Sequence, residues 1–236
     1  MKKDSLLFLI WILAAGLFIL PAQDLRELEF SGTSWVVKEG RNLGPGPNRF
    51  DRRRITREGE DLVLTVEKRG RYWNCAELYT RDFYECGRFT LIFSVPAPLD
   101  SSLVFGFFLY NSGAPPDFAE ADFEISRWGD PSYPNAQFAL QPYDTPGNAF
   151  VFSLPEVMDR LVCEIIREKT RIRFRISDSG GKILAEWENS GPDVPGEIPA
   201  RVHLNLWLFG GGEPDQDGGR KVLLHSFRAV RDGSCF

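Results

Sequence analysis

From about residue 35 to residue 230 the chain repeats one pattern. Runs of four to nine residues rich in Val, Ile, Leu, Phe and Thr are separated by clusters of Gly, Pro, Asn and Asp. Alternation of apolar and polar positions marks strands with one buried face, and the punctuating residues cannot sustain a ladder. The pattern predicts strands over 35–38, 62–68, 75–80, 87–95, 103–110, 119–126, 136–142, 160–168, 171–177, 200–209 and 221–230. Only 154–161 could hold a helical turn, with Pro155 tolerated near its start. The loops at 44–48, 114–117 and 210–219 are too rich in Gly, Pro and Asp for strand and are expected to rim the sheets. Many short strands with turn signals between them predict an all-β sandwich.

Several predicted strands have one apolar face and one face of sugar-binding side chains. Val202, Leu204, Leu206 and Leu208 oppose His203, Asn205, Trp207 and Phe209. Phe138 and Leu140 oppose Gln137 and Gln141, and Ala76 and Leu78 oppose Glu77 and Tyr79. Aromatic rings flanked by amides and acids suit a pyranose, whose C–H faces stack on rings while its hydroxyls need fixed donors and acceptors. Core packing and ligand contact are equally good readings of Trp207 alone. Asn205 two residues earlier on the same face favours contact.

One strand adds chemistry. Glu120, Asp122 and Glu124 alternate with Ala121 and Phe123, so the three acids share a face and Ala119, Ala121, Phe123 and Ile125 share the other. A triple of acids at this spacing arises by chance roughly 0.6 times in a chain of this composition, and in the order Glu, Asp, Glu roughly 0.1 times, so spacing alone is only suggestive. Context strengthens it. A solvated strand face ordinarily mixes cations or Thr with its acids, because like charges side by side cost stability. Such a cluster is better understood where its pKa values do work. Two carboxylates flanking a sugar linkage suffice for glycoside hydrolysis with retention. On a flat strand, positions four apart separate their Cα atoms by roughly 13 Å, whereas retention needs carboxyl groups about 5 to 5.5 Å apart. A concave bend must close the gap.

Charge narrows the partners. The 236 residues carry 28 Lys and Arg against 33 Asp and Glu, a formal charge of −5, with no long basic face, so nucleic acid is not an expected partner. Arg52-Arg53-Arg54 is the dense basic run and reads as a solvated loop. Cys75, Cys86, Cys163 and Cys235 permit two disulfides in three pairings. With two histidines, no CxxC and no HExxH, neither a metal site nor a cofactor is expected. Lys2 and Lys3 precede an uncharged run over 5–20, then Pro21 and Ala22: residues 1–22 read as a secretory signal peptide and 23–236 as a single domain. The alternative is an uncleaved anchor, disfavoured because the run falls short of the roughly 20 residues a spanning helix needs. A secreted or periplasmic monomer with no stable membrane partner is expected.

Asn74-Cys75-Ala76-Glu77-Leu78, Phe107-Phe108-Leu109-Tyr110, the acidic strand, Ala136-Gln137-Phe138 and Leu204-Asn205-Leu206-Trp207 together resemble the family-sixteen glycoside hydrolases. These are the lichenases, laminarinases and xyloglucan transglycosylases, and bacterial lichenases are nearest in motif. The resemblance spans about residues 44–230. It implies a concanavalin-like β-jelly-roll of two curved antiparallel sheets with a concave sugar cleft, and a retaining, endo-acting hydrolase of β-linked polysaccharide, β-glucan foremost. It further implies Glu120 as nucleophile, Glu124 as general acid/base and Asp122 as the acid that orients the nucleophile, with Glu77, Tyr110, Phe118, Gln137, Asn205 and Trp207 on substrate. Phe118 stands where lichenases place a Trp. Cys75 matches a lichenase disulfide cysteine, but residues 23–74 hold no cysteine to pair with it. A transglycosylase or a catalytically idle carbohydrate-binding protein on the same fold are the alternatives.

Overall fold

The computed structural model describes residues 26–114, 120–214 and 219–231. The expected signal peptide at 1–22, Phe118 and Cys235 lie outside the described residues. Two antiparallel sheets pack face to face across one hydrophobic core. The first has eight strands in the spatial order Glu27–Phe30, Thr33–Val37, Ala76–Thr80, Arg201–Leu208, Leu103–Tyr110, Glu120–Ser126, Ala136–Leu140 and Ala149–Phe152. The second has seven: Ile183–Asn189, Ile172–Ser177, Met158–Arg167, Gly87–Val95, Lys221–Val230, Asp61–Thr65 and Ile55–Glu58. This is the jelly-roll sandwich, with two hairpin-like ribbons added, Gly40–Leu43 with Asn48–Phe50 and Glu67–Arg69 with Tyr72–Asn74.

Alternation builds the core. Leu103, Phe105, Phe107 and Leu109 are fully buried on one strand, as are Val202, Leu204 and Leu206 on its neighbour. Aromatic rings bridge the layers: Phe123 and Phe138 of the first sheet lie 5.9 Å from Phe93 and 5.2 Å from Phe174 of the second. Edge-on and offset ring packing adds to the burial of apolar area that drives the layers together.

Three expectations are corrected. The helical turn at 154–161 does not form, because its backbone donors are taken elsewhere: Leu154 N donates to Asn135 Oδ1 at 2.8 Å and Arg160 N to Ser94 Oγ at 2.8 Å. Met158 instead begins a strand. The edge strands Glu27–Phe30, Ile183–Asn189 and Ile55–Glu58 lie outside the predicted set because, half solvated, they carry charge in place of a continuous apolar signal, and the edge strand Ala149–Phe152 lies outside it because its apolar run is only four residues long. Two disulfides are also not formed, since Cys75 and Cys163 are free buried thiols, while Cys86 is disulfide-bonded. Cys163 is walled in between Leu91 and Ile176 on the neighbouring strands, and burial holds its pKa well above the ordinary thiol value. The Cys75 thiol donates to Asn48 Oδ1 at 3.3 Å, and burial pushes it up to about 12. Among the described residues no helix is long and apolar enough to cross a membrane.

Candidate active site

Strand register lays out a floor on the exposed face of the first sheet. Glu77 pairs with Asn205, Asn205 with Gly106, Gly106 with Glu124, and Glu124 with Gln137, forming one row across five strands. The next row runs Tyr79, His203, Phe108, Asp122 and Ala139, and the one beyond holds Arg201, Tyr110 and Glu120. A period of two puts these residues on one face. Behind them Ala121, Phe123 and Ile125 are buried, so the acidic strand has the acidic front and apolar back that its sequence requires.

Glu77, Tyr110, Glu120, Asp122, Glu124, Asn205 and Trp207 line a single cleft of about 450 Å³, together with Lys38, Phe108 and the hairpin tip at Leu43, Gly44 and Pro45. Gln137 stands behind Glu124, donating from Nε2 to Glu124 Oε2 at 2.8 Å. Seven of the residues singled out by sequence therefore meet in the cleft, and Gln137 supports one of them.

Burial governs the acids. It pushes Glu124 up to about 7 against the lowering effect of Gln137, and the Glu120 charge pushes the same way. Burial also pushes Glu120 up to about 7, opposed by a hydrogen bond from Asp122. Asp122, 4% exposed, is held well above the ordinary carboxylate range by burial and by the charges of Glu120 and Glu124. The three acids thus resist ionising together, and the hydrogen bond between Asp122 and Glu120 lowers Glu120 and raises Asp122, as a bond donated by Asp122 does. Gln141 supplies a further hydrogen bond to Asp122.

The floor beside the acids is a polar lattice. Glu77 accepts from Lys38 Nζ at 2.8 Å and lies 3.1 Å from His203 Nδ1. His203 stacks between Tyr79 and Phe108, with ring centres 5.1 and 4.9 Å away; burial lowers its pKa against the raising effect of Glu77, and with a carboxylate as acceptor the ring donates from Nδ1–H. Lys38 Nζ also reaches Gly44 O at 2.5 Å, tying the hairpin tip to the floor.

Asn205 is 2% exposed, and its Oδ1 finds no hydrogen-bond partner among the described residues. A buried amide oxygen without a partner costs free energy and is suited to accept from a sugar hydroxyl. Gly106 makes room for it, since a Cβ there would fall 2.6 Å from that oxygen. Trp207 is on the cleft face yet only 7% exposed, because Trp128 packs edge-on at 6.3 Å and Gly46 of the hairpin tip approaches its ring. It is both cleft wall and packing element.

Sequence reasoning missed Lys38, Gly106, Gln141 as a partner of Asp122, and the hairpin tip. The first two become visible only through register, as Lys38 extends the strand beside Glu77 and Gly106 lies between Asn205 and Glu124.

No protein-family model and no curated protein sequence matches the chain. Solved structures share its fold. A Bacillus licheniformis β-glucanase aligns with a TM-score of 0.65 at 12% identity, covering 89% of this chain and 100% of that one. A laminarinase from Flavobacterium gives 0.67 at 15% identity over 88% and 96% of the two chains. A prokaryotic β-1,3-1,4-glucanase (lichenase) derived from a mouse hindgut metagenome gives 0.62 at 16% identity over 88% and 94%. At these identities the likeness is one of fold.

Proposed function

We propose that this chain is a retaining, endo-acting glycoside hydrolase that cuts a β-linked polysaccharide, with a β-glucan backbone as the expected substrate, and that it is exported behind residues 1–22 as a leader. The observation that carries this reading is the placement of Glu120, Asp122 and Glu124 on one face at the floor of one cleft, with no Lys or Arg in ion-pair contact with any of them among the described residues. The glucanases and the laminarinase that share the fold support the choice of substrate.

In the proposed cycle ionised Glu120 attacks the anomeric carbon while Glu124, protonated because burial raises its pKa, gives its proton to the departing glycosidic oxygen. The glycosyl ester on Glu120 is then opened by water, whose proton passes to Glu124, restoring both groups. Asp122 is a positioning acid: its hydrogen bond holds the Glu120 carboxylate in place and favours its ionised form. Asn205 and Glu77 would hold sugar hydroxyls, and Tyr110 and Trp207 would flank the ring. Reducing-sugar release from mixed-linkage β-glucan, laminarin, xyloglucan, agarose and carrageenan tests the reading. Release from at least one polymer that disappears in Glu120→Gln is expected, and no release from any of them would overturn it.

A further inference from the structure

Away from the catalytic acids, three guanidinium groups converge on one exposed ring. Arg71, Arg49 and Arg41 lie 4.9, 5.4 and 5.9 Å from the ring centre of Tyr72. None of the three has a carboxylate within ion-pair distance among the described residues, whereas nearby Arg53 and Arg54 are held by Asp51 and Glu67. Like charges this close repel, and the ring face offsets only part of that repulsion. The cluster stands on a chain whose formal charge is −5, so it is a local arrangement and not a reflection of bulk composition. Arg41 and Arg49 also line a groove of about 300 Å³ with Phe50 at its wall and Glu39 and Asp51 as its only carboxylates.

The groove begins where the cleft floor ends. The row from Gln137 through Glu124, Gly106, Asn205 and Glu77 finishes at Lys38, whose backbone N–H donates to Glu77 O at 2.9 Å. Four strand spacings of roughly 4.8 Å place Lys38 roughly 19 Å across the sheet from Glu124. Lys38 Nζ then lies over the Phe50 ring at 4.6 Å, and the chain continues through Glu39 and Gly40 to Arg41. A polysaccharide lying along the row would leave the cleft at Lys38, which the Phe50 contact sets beside this groove.

We propose that this arginine groove is an outlying part of the substrate path and takes carboxylate- or sulfate-bearing sugar residues, so that the polysaccharide is an acid-substituted one; the direction of the path rests on the hydrolase reading above. Guanidinium forks match planar carboxylate and tetrahedral sulfate oxygens, and Tyr72 offers a face to the intervening sugar. The same chemistry serves either anion.

Affinity electrophoresis of the full chain reads binding without requiring turnover. Gels hold neutral β-glucan, the same glucan carboxymethylated, or the same glucan sulfated, and mobilities are taken relative to a polymer-free gel. The wild type is expected to bind an acidic glucan at least about tenfold more tightly than the neutral one. The preference should weaken between roughly 50 and 300 mM NaCl. Whichever acidic gel retards more identifies the anion. The triple variant Arg41→Gln, Arg49→Gln, Arg71→Gln should lose the preference while keeping its Tm, and Glu120→Gln should retain it. Equal retardation of the triple variant and the wild type, no preference for either acidic glucan, or retardation by DNA as strong as by an acidic glucan overturns the proposal. A chain retarded by acidic glucan that cleaves no polymer overturns the hydrolase reading and the groove's place on a substrate path, while its anion binding stands.

Discussion

The acidic strand of the first sheet and the outer face of the second carry acids on the same antiparallel lattice and use them in opposite ways. On the outer face of the second sheet three cross-strand pairings set a Glu against an Arg: Arg173 opposite Glu188, Arg175 opposite Glu186, and Glu164 opposite Arg175. The contacts close at 2.7 Å for Arg173 with Glu188 and 3.1 Å for Arg175 with Glu186, and Arg173 holds Glu188 below its usual pKa. On the cleft face of the first sheet Glu120 lies opposite Tyr110, Asp122 between Phe108 and Ala139, and Glu124 between Gly106 and Gln137. No cation stands across from any of them, so burial dominates and their pKa values rise. The cross-strand neighbour, more than the residue itself, decides whether an acid is a counter-ion or a proton holder. Exposed pairs contribute little each, whereas buried unpaired acids cost stability and make sense where protons are exchanged.

The largest effect should come from removing an acid on the cleft side of that comparison. Glu120→Gln and Glu124→Gln are each expected to lower kcat by at least about a hundredfold in a reducing-sugar assay while leaving the circular-dichroism spectrum unchanged. Retention of more than about a tenth of wild-type kcat by either would remove that residue from the chemistry. Next, the two faces of one strand should respond differently. Leu206→Ala is expected to cost about 2 to 5 kcal/mol in denaturant unfolding as a core truncation, whereas Asn205→Ala should lower kcat/KM with little change in stability. Trp207→Ala should do both, because its ring is wall and packing at once.

The pH dependence separates the sheets by sign. Glu120 and Glu124 bind protons more tightly folded than unfolded, so as pH rises from the ordinary 4.5 through about 7 the folded state loses stability relative to the unfolded one. Glu120→Gln should therefore raise Tm relative to the wild type at pH 8 and lose that advantage near pH 4.5. Glu188, held low by Arg173, has the opposite sign: its contribution is present at neutral pH and is lost as pH falls. Differential scanning of Glu120→Gln and Glu188→Gln across pH checks both signs, and equal slopes would dissolve the comparison. The smallest effect belongs to the outer ladder, where Arg173→Ala should shift Tm by no more than about 2 °C with turnover unchanged.

The acidic strand was legible because its code is local: one seven-residue strand, Glu120–Ser126, carries all three acids, and period two puts them together without knowledge of any neighbour. The strand Arg201–Leu208 was legible for the same reason, its leucines buried and Asn205 facing the cleft. Lys38 and Gly106 were not, since what each does depends on which strand lies alongside. Gly106 is a gap that only Asn205 gives meaning to. The arginines at Tyr72 escaped likewise: Arg41, Arg49 and Arg71 are scattered in sequence, and the hairpins that gather them are short and polar. Arg52-Arg53-Arg54, the run that stood out by density, instead forms a single 3-10 turn capped by Asp51.

The central claim is that Glu120 forms a covalent bond to sugar. It is tested most directly by treating the protein with a 2-deoxy-2-fluoro glycoside built on the oligosaccharide the proposed cleavage would release, followed by peptide mass mapping. One sugar equivalent on the peptide containing Glu120, with the fragment series placing it on that residue, is the predicted result. A label on Glu124, or hydrolysis with inversion and no adduct, would contradict the account.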